Sequence, residues 1–406
     1  MNIKVIAHTK QVNELETCLP MKEEFHVLGG RMAGICYGPE DYFDVKINNT
    51  TTALKRAENC VKSGHHSPFD HSYITLQIIG IPKIIAMILN STEFYTTSEK
   101  SARYTLMKPE TEREAVLYEK WQRIFKEEIK KYSDEENLGF ADKHIEKLSM
   151  ENARYMISVF TPTSMCYTTS IRRFSYMVQW LRELEATLNK NQSSFNEKLL
   201  PYIIELKNKF NEIFGDKIKD NKNGYFEFLQ YQYYPDTEPS YENEIIGNVY
   251  SVVYDASFAH LAHIQRHRTL HYEMFFDGHT RFGENHLYNC YVPPILSLDL
   301  QKEWIKDFNS IADVYPQATL VIVKEEGRCS DFLLKCKERM CSRVQLEVME
   351  STKRILNMFY QERDNLNERN RNAVEDYYEK PRCMFSDFRC TEVCEFGPKN
   401  AIIRKI

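Results

Sequence analysis

Apolar and polar residues alternate over residues 2–8 (NIKVIAH) and again over 73–79 (YITLQII), the two-residue period of half-buried strands. Between them a helical period runs through 51–62. Gly80-Ile81-Pro82 sets a proline in the opening turn of an apolar helix, IPKIIAMILNST, and the polar TTSEKSARYT after it reads as extended. Residues 151–188 have the helical period again. The second half predicts a helix over 257–268, an aromatic loop region to about Tyr291, and a long helix from Ser330 to about Tyr360. A lysine-rich stretch poor in apolar residues, 207–224, divides the chain near its middle as a linker or exposed helix. The expected fold is therefore α+β, helix-rich with small mixed sheets, in two tandem domains, 1–215 and 216–406. No short-period repeat is present, which excludes solenoids and propellers. The order of helix, extended segment and long helix recurs in both halves and suggests an internal duplication.

Composition changes this picture little. The chain has 406 residues, 42% of them apolar and 27% charged, enough for a large core in two or three domains at roughly 100–200 residues each. The N-terminus lacks an apolar stretch before a small-residue cleavage site, and Pro82 and Lys83 interrupt the most apolar segment, 81–89. A cytoplasmic protein is expected, neither secreted nor inserted in a membrane. Eleven cysteines, an odd number, read as mostly reduced thiols. A net charge of -5 argues against sequence-independent binding to polynucleotide, which needs a basic surface, so local arginines must hold any anionic ligand.

Common enzyme fingerprints are missing: there is no G-x-G-x-x-G, Walker phosphate loop, G-x-S-x-G, H-E-x-x-H or C-x-x-C. Arg266-His267-Arg268 packs two permanent cations around an imidazole at the end of an apolar helix. Residues two apart on a helix point about 200° apart, so the two arginines serve one ligand atom only if the helix ends there. A solvated terminus with cations complementing the helix dipole explains the triplet equally well. Glu99, Ser101 and Arg103 alternate, and an extended chain would put all three on one face, a set suited to a nucleotide or to an ordinary exposed strand. Arg339 and Arg343, four apart, would share a helix face with an anion between them, unless Glu347 pairs with Arg343. His65, His66 and His71 crowd a turn without ordered zinc-ligand spacing. Cys383, Cys390 and Cys394 could ligate a metal or cross-link, but no fourth ligand stands at standard spacing, so they read as ordinary thiols and no metal is expected.

The run GHHSPFDH, an apolar helix, SEKSARY, NARYMIS and TTSIRR resembles the flavin-dependent thymidylate synthases (ThyX) through most of the first half. That family's signature is R-H-R-x-x-S-x-N-x-x-S-x-R-Y. Its end matches Ser101, Arg103 and Tyr104, whereas Ser91, Thr92 and Glu93 occupy the R-H-R positions. The missing triplet stands in the second half as Arg266-His267-Arg268. There ERMCSRVQLEV also resembles the family's L-R-x-x-x-x-A-Q-W-E-I helix, with Arg339 at the substrate arginine. The resemblance implies a duplicated synthase fold, a pseudo-dimer in which each half kept one side of a shared site. It implies flavin contacts from Ser67, Glu99, Arg172, Arg266, His267 and Arg268, with His65 at the family's histidine near the flavin. It implies nucleotide contacts from Ser101, Arg103, Arg154, Arg266 and Arg339, with Arg339, His65 and Ser101 nearest the chemistry.

The implied reaction is FAD-dependent transfer of a one-carbon unit from methylenetetrahydrofolate to C5 of dUMP, with reduction by NADPH, giving dTMP. The implied assembly is a homodimer of pseudo-dimers. Two alternatives stay open: a dCMP methyl- or hydroxymethyltransferase on the same fold, and a flavin- or nucleotide-binding relative without turnover.

Overall fold

The computed structural model describes residues 1–11, 19–91, 95–101, 105, 108–190, 193–219, 243–276, 289–391 and 394–406. In chain order these form β1 (Asn2–His8), α1 (Met21–Tyr37), α2 (Val45–Asn48), α3 (Thr50–Ser63), β2 (Tyr73–Pro82), α4 (Lys83–Leu89) and β3 (Tyr95–Glu99). Next come α5 (Glu112–Glu135), α6 (Asp142–Ala153), β4 (Pro162–Ser170), α7 (Ile171–Lys190) and α8 (Ser194–Ile213). The remainder is β5 (Glu244–Ile246), β6 (Val249–Ser257), α9 (Phe258–Ile264), β7 (His271–Phe275), α10 (Leu298–Ser310), β8 (Leu320–Arg328), α11 (Cys329–Arg339), α12 (Leu346–Gln361), α13 (Glu368–Tyr377) and α14 (Gly397–Asn400).

Packing divides the chain into two units: residues 1–100 with 162–226, and residues 101–161 with 227–406. Each contains one four-stranded sheet, ordered β1-β2-β4-β3 in the first and β5-β6-β8-β7 in the second. The two sheets thus share one strand order, and in both a seven-residue helix (α4 or α9) follows the second strand. The expectation of mixed sheets is corrected: among the described residues every ladder is antiparallel. In the first sheet β2 and β3 run parallel, but β4 lies between them and pairs antiparallel with both, so no parallel ladder forms.

Four helical readings also need correction. Residues 162–170, inside the helical stretch expected over 151–188, form β4, because Pro162 is tolerated at a strand's first position and Thr163, Thr168 and Thr169 favour the pleat. The helix expected over 257–268 stops at Ile264. The long helix expected from 330 breaks at 340–345, where the Arg382 N–H takes the Met340 carbonyl at 2.7 Å and Ser342 and Val344 are weak helix formers. The proline-led helix also begins later than expected, since Ile81 and Pro82 still pair in β2.

In unit 1, α1 lies close enough to α3 that a Cβ built on Gly30 would stand 1.8 Å from the Ala53 carbonyl oxygen. In unit 2, Trp121 of α5 meets Trp304 of α10 edge-on at 4.7 Å, and both rings are fully buried. The Trp121 indole donates to Asp307 at 3.0 Å and the Trp304 indole to the Tyr291 carbonyl at 2.9 Å, so neither polar tip is buried without an acceptor. Helix α5 starts on a capping box in which Thr111 and Glu114 satisfy each other's backbone N–H groups. The second Glu114 oxygen accepts the Ser158 N–H at 2.8 Å. Backbone bonds from Val159 to Tyr315 (2.9 Å), Gln317 to Ile157 (2.8 Å) and Ala318 to Tyr155 (2.9 Å) then stitch 155–159 to 315–318. This stitching holds Arg154 and Tyr155 inside unit 2.

Gly30→Ala should therefore destabilise the protein by about 3 kcal/mol, since backbone rather than a flexible side chain blocks the added methyl. Urea unfolding measures it, and a loss under about 1 kcal/mol would show that α1 and α3 separate easily.

Candidate functional site

The site is best followed from a buried carboxyl. Glu347, in the first turn of α12, accepts the Ser257 N–H at 2.7 Å and the Ser257 hydroxyl at 2.6 Å, where β6 passes into α9. Tyr155 donates to it at 2.8 Å, and the Gln345 amide lies 3.4 Å from the same oxygen. Gln345 also donates to the Tyr155 oxygen, while its own carbonyl accepts from Arg154. A donor chain thus runs from the Arg154 guanidinium through Gln345 and Tyr155 to Glu347. All four side chains are buried. Burial pushes the Glu347 carboxyl up to about 7, against the lowering effect of the Ser257 and Tyr155 bonds. Gln345 and Glu347 stand six and eight residues after Arg339, the spacing of Q and E in the motif that ERMCSRVQLEV resembles. That was the available signal, although the site residues read from the sequence included neither them nor Tyr155.

Arg339 is the last residue of α11, and its guanidinium lies 3.5 Å from Glu338. Arg343 lies beyond the helix end, so the two arginines do not share a helix face as expected. Helix α9 ends before Arg266-His267-Arg268, which meets the condition set for the two arginines to act together. Both His267 ring nitrogens are engaged by α11, with Nδ1 3.1 Å from Glu338 and Nε2 3.2 Å from the Asp331 carbonyl. That imidazole pins the turn; Arg266 is half-buried beside it and Arg268 is exposed. The hydrogen bond from His267 holds the Glu338 carboxyl below its ordinary range.

Ser101 falls in unit 2. Its carbonyl accepts from Thr105 N (3.0 Å) and Oγ1 (2.8 Å), and β3 ends at Glu99. Arg103 lies outside the described residues. Ser101, Arg154, Arg266, His267, Arg268 and Arg339 thus belong to one unit although they come from both linear halves.

Unit 1 carries the other expected residues. Lys83 ion-pairs with Glu99, whose side chain is 1% exposed, and Asn90 lies 3.4 Å from its second oxygen. Arg172 donates to Asp70 at 2.7 Å and to the Tyr176 hydroxyl at 3.1 Å, and His66 Nδ1 meets the same hydroxyl at 2.7 Å. His65 follows the left-handed Gly64 cap of α3, with Nδ1 3.9 Å from the Cys60 sulfur. Ser67 is exposed at the start of a 3-10 turn.

Antiparallel sheets flanked by helices, with Arg154 held by a buried amide and Arg172 and Arg339 beside partly exposed carboxyls, define an α+β protein chemically suited to an anionic ligand. Residues 27–188, less than half of the chain, match the family model Thy1, thymidylate synthase complementing protein. Solved structures similar to the chain include the UMP/dUMP methylase PolB from Streptomyces cacaoi bound with 5-Br dUMP, at 15% identity over 44% of this chain and 76% of that one, with a TM-score of 0.26. Another is thymidylate synthase X (ThyX) from Helicobacter pylori with FAD and dUMP, at 18% identity over 53% of this chain and 95% of that one, with a TM-score of 0.27. No curated protein matches the chain. Among the described residues no helix is long and apolar enough to cross a membrane.

The raised Glu347 pKa has a defined sign. A carboxyl with a folded pKa near 7 and an unfolded value near 4.5 binds more protons folded than unfolded between those limits. Its stabilising contribution is complete below about pH 4.5 and is lost as pH rises to about 7, a change on the order of 3 kcal/mol. Glu347→Gln should flatten the fall in melting temperature between pH 5 and about 7.5. An unchanged slope in the variant would assign that fall to other groups.

Proposed function

We propose that this chain is a flavin-dependent pyrimidine methyltransferase that converts dUMP to dTMP, using the methylene carbon of methylenetetrahydrofolate and reducing equivalents from NADPH. One observation carries the reading: Arg154, from the segment that matches the family, donates to Gln345, from the Arg339 motif of the second half. Two fragments of a family site that are far apart in sequence therefore belong to one network. The shared strand order of the two sheets favours the further reading that the halves arose by duplication and that each lost the redundant side of the site.

The donor set fits a flavin dinucleotide. Arg266 and Arg268 follow the end of α9 with a turn pinned by His267, and two guanidiniums in one short turn suit a diphosphate. FAD, when bound, supplies the two-electron redox chemistry. This chain's residues bind and orient. Arg339 and Arg154, with Ser101 and Arg103, neutralise the nucleotide phosphate and the negative charge that develops on the uracil ring. Gln345 holds the Arg154 guanidinium in one orientation, and Glu347 anchors Tyr155 and Gln345 so that the arginine does not have to be ordered when substrate arrives.

Anaerobic incubation with NADPH, methylenetetrahydrofolate and either dUMP or dCMP, followed by product mass, tests the reaction. A methylated dUMP is the expected product, and product from dCMP alone would overturn the choice of base. Arg339→Ala and Arg154→Ala should each weaken dUMP binding by about tenfold to a hundredfold, the loss of one charge-assisted hydrogen bond. Bound FAD should remain in the Arg154 variant. Unchanged nucleotide affinity in both variants, measured calorimetrically, would remove these arginines from the substrate site.

A further inference from the structure

The C-terminal cysteines gain a fourth companion in the folded protein. A cavity of about 470 Å³ in unit 2 is lined by Cys341, Cys383, Cys390 and Cys394. Cys341 stands in the turn between α11 and α12, Cys383 in the 3-10 turn Arg382–Met384, and Cys394 just ahead of α14, its carbonyl accepting the Gly397 N–H at 3.2 Å. Cys341 is 8% exposed, whereas Cys390 is exposed and marks the open side. No sequence motif joins the four, because Cys341 is brought in only by the break between α11 and α12. That break is held by the Arg382 N–H on the Met340 carbonyl, one residue from Cys383 on one side and one from Cys341 on the other.

Two further features bear on what fills the cavity. The Arg343 N–H points at the Cys341 sulfur at 3.5 Å, a backbone donor of the kind that stabilises a ligating thiolate. Arg343, Arg382 and Arg389 line the same cavity, which gives positive charge around four sulfurs that would be anionic as ligands.

The spread of the four sulfurs decides between a single ion and a larger group. A tetrahedral zinc with bonds of about 2.3 Å needs its thiolates roughly 4 Å apart. Among the described residues, the group of three or more possible ligands with all donor atoms within 4.8 Å of one another is His271, Glu273 and Glu326, not these cysteines. No three of the four sulfurs thus lie within 4.8 Å of one another, and the cavity they line has room for a polynuclear centre.

We propose that Cys341, Cys383, Cys390 and Cys394 ligate a [4Fe–4S] cluster in this cavity. Assembly from two ferrous ions, two ferric ions and four sulfides requires no net electron transfer; each thiol releases one proton to solvent as its iron–sulfur bond forms. The resulting tetrathiolate cluster carries a net charge of about −2, which the three lining arginines offset.

The full-length protein, purified and handled anaerobically, is reconstituted with ferrous and ferric iron and sulfide, desalted, and assayed for iron and acid-labile sulfide, a readout that bound flavin does not affect. About four iron and four sulfide per chain are expected, with a paramagnetic signal after dithionite reduction. Cys390→Ser and Cys394→Ser should each lower retained iron at least threefold, whereas Cys166→Ser in β4 should not. Should a cysteine variant aggregate, retention by the wild-type chain with its thiols blocked by iodoacetamide replaces it. Failure of the reduced wild-type chain to retain iron and sulfide overturns the proposal, as does tight binding of one zinc without sulfide, or iron retention unaffected by the substitutions or by thiol blocking.

Discussion

A carboxyl removed from water has to be answered by donors or kept protonated, and unit 2 is arranged around one such group. Leaving a buried carboxylate unpaired costs several kcal/mol, more than any single hydrogen bond returns. Glu347 avoids that cost by drawing donors from three places: the β6–α9 junction at Ser257, the chain after α6 at Tyr155, and the entry to α12 at Gln345. Each donor is thereby held to the other two. The carboxyl sets where α12 begins, how α9 leaves its strand and how the segment carrying Arg154 lies against both. Removing one donor would leave the others satisfying a group whose ionisation is then still less favourable.

A second buried charge acts on the sheet of the same unit. Lys335 of α11 donates to both oxygens of Glu325 on β8 at 2.8 and 2.7 Å, with neither side chain exposed, and the Tyr250 and Tyr254 hydroxyls each add a bond of 2.7 Å. Burial lowers the Lys335 pKa, and Glu325 opposes that shift. Such a pair contributes little net stability compared with an apolar replacement of similar volume. Its effect is directional, because it admits one rotation of α11 against β6 and β8. Arg339 and the His267 partner Glu338 lie on that helix, so the rotation decides where they point.

Several elements were legible in the sequence because their periodicity is local. Strand β1, helix α3 and strand β2 stand where alternation and helical spacing put them. Strand β4 was hidden because its flanks are strongly helical and its inward residues include Thr163, Met165 and Tyr167, which fit either period. The break after Arg339 depends on the Arg382 N–H, which is distant in sequence, and no window around 340 contains it. The arginines of the candidate site were visible as motifs, whereas the Arg154–Gln345 contact and the company of Cys341 with the C-terminal cysteines exist only after folding. Local pattern thus singled out the arginines but could not assign their partners.

Residues 101–161 interrupt unit 1 in the sequence yet pack with 227–406, so the chain passes from one unit to the other three times. During synthesis this imposes an order. The first unit obtains β4, one of the two inner strands of its sheet, only after α5 and α6 have left the ribosome. Those helices then wait, with Trp121 and Phe125 uncovered, until α10 brings Trp304. Contacts of such long sequence separation form slowly, and apolar faces left open meanwhile favour aggregation. Newly made chains should therefore depend on a chaperone that shields α5 until translation has passed α10, and a ribosome stalled just before α10 would present a first unit interrupted by an adhesive insert.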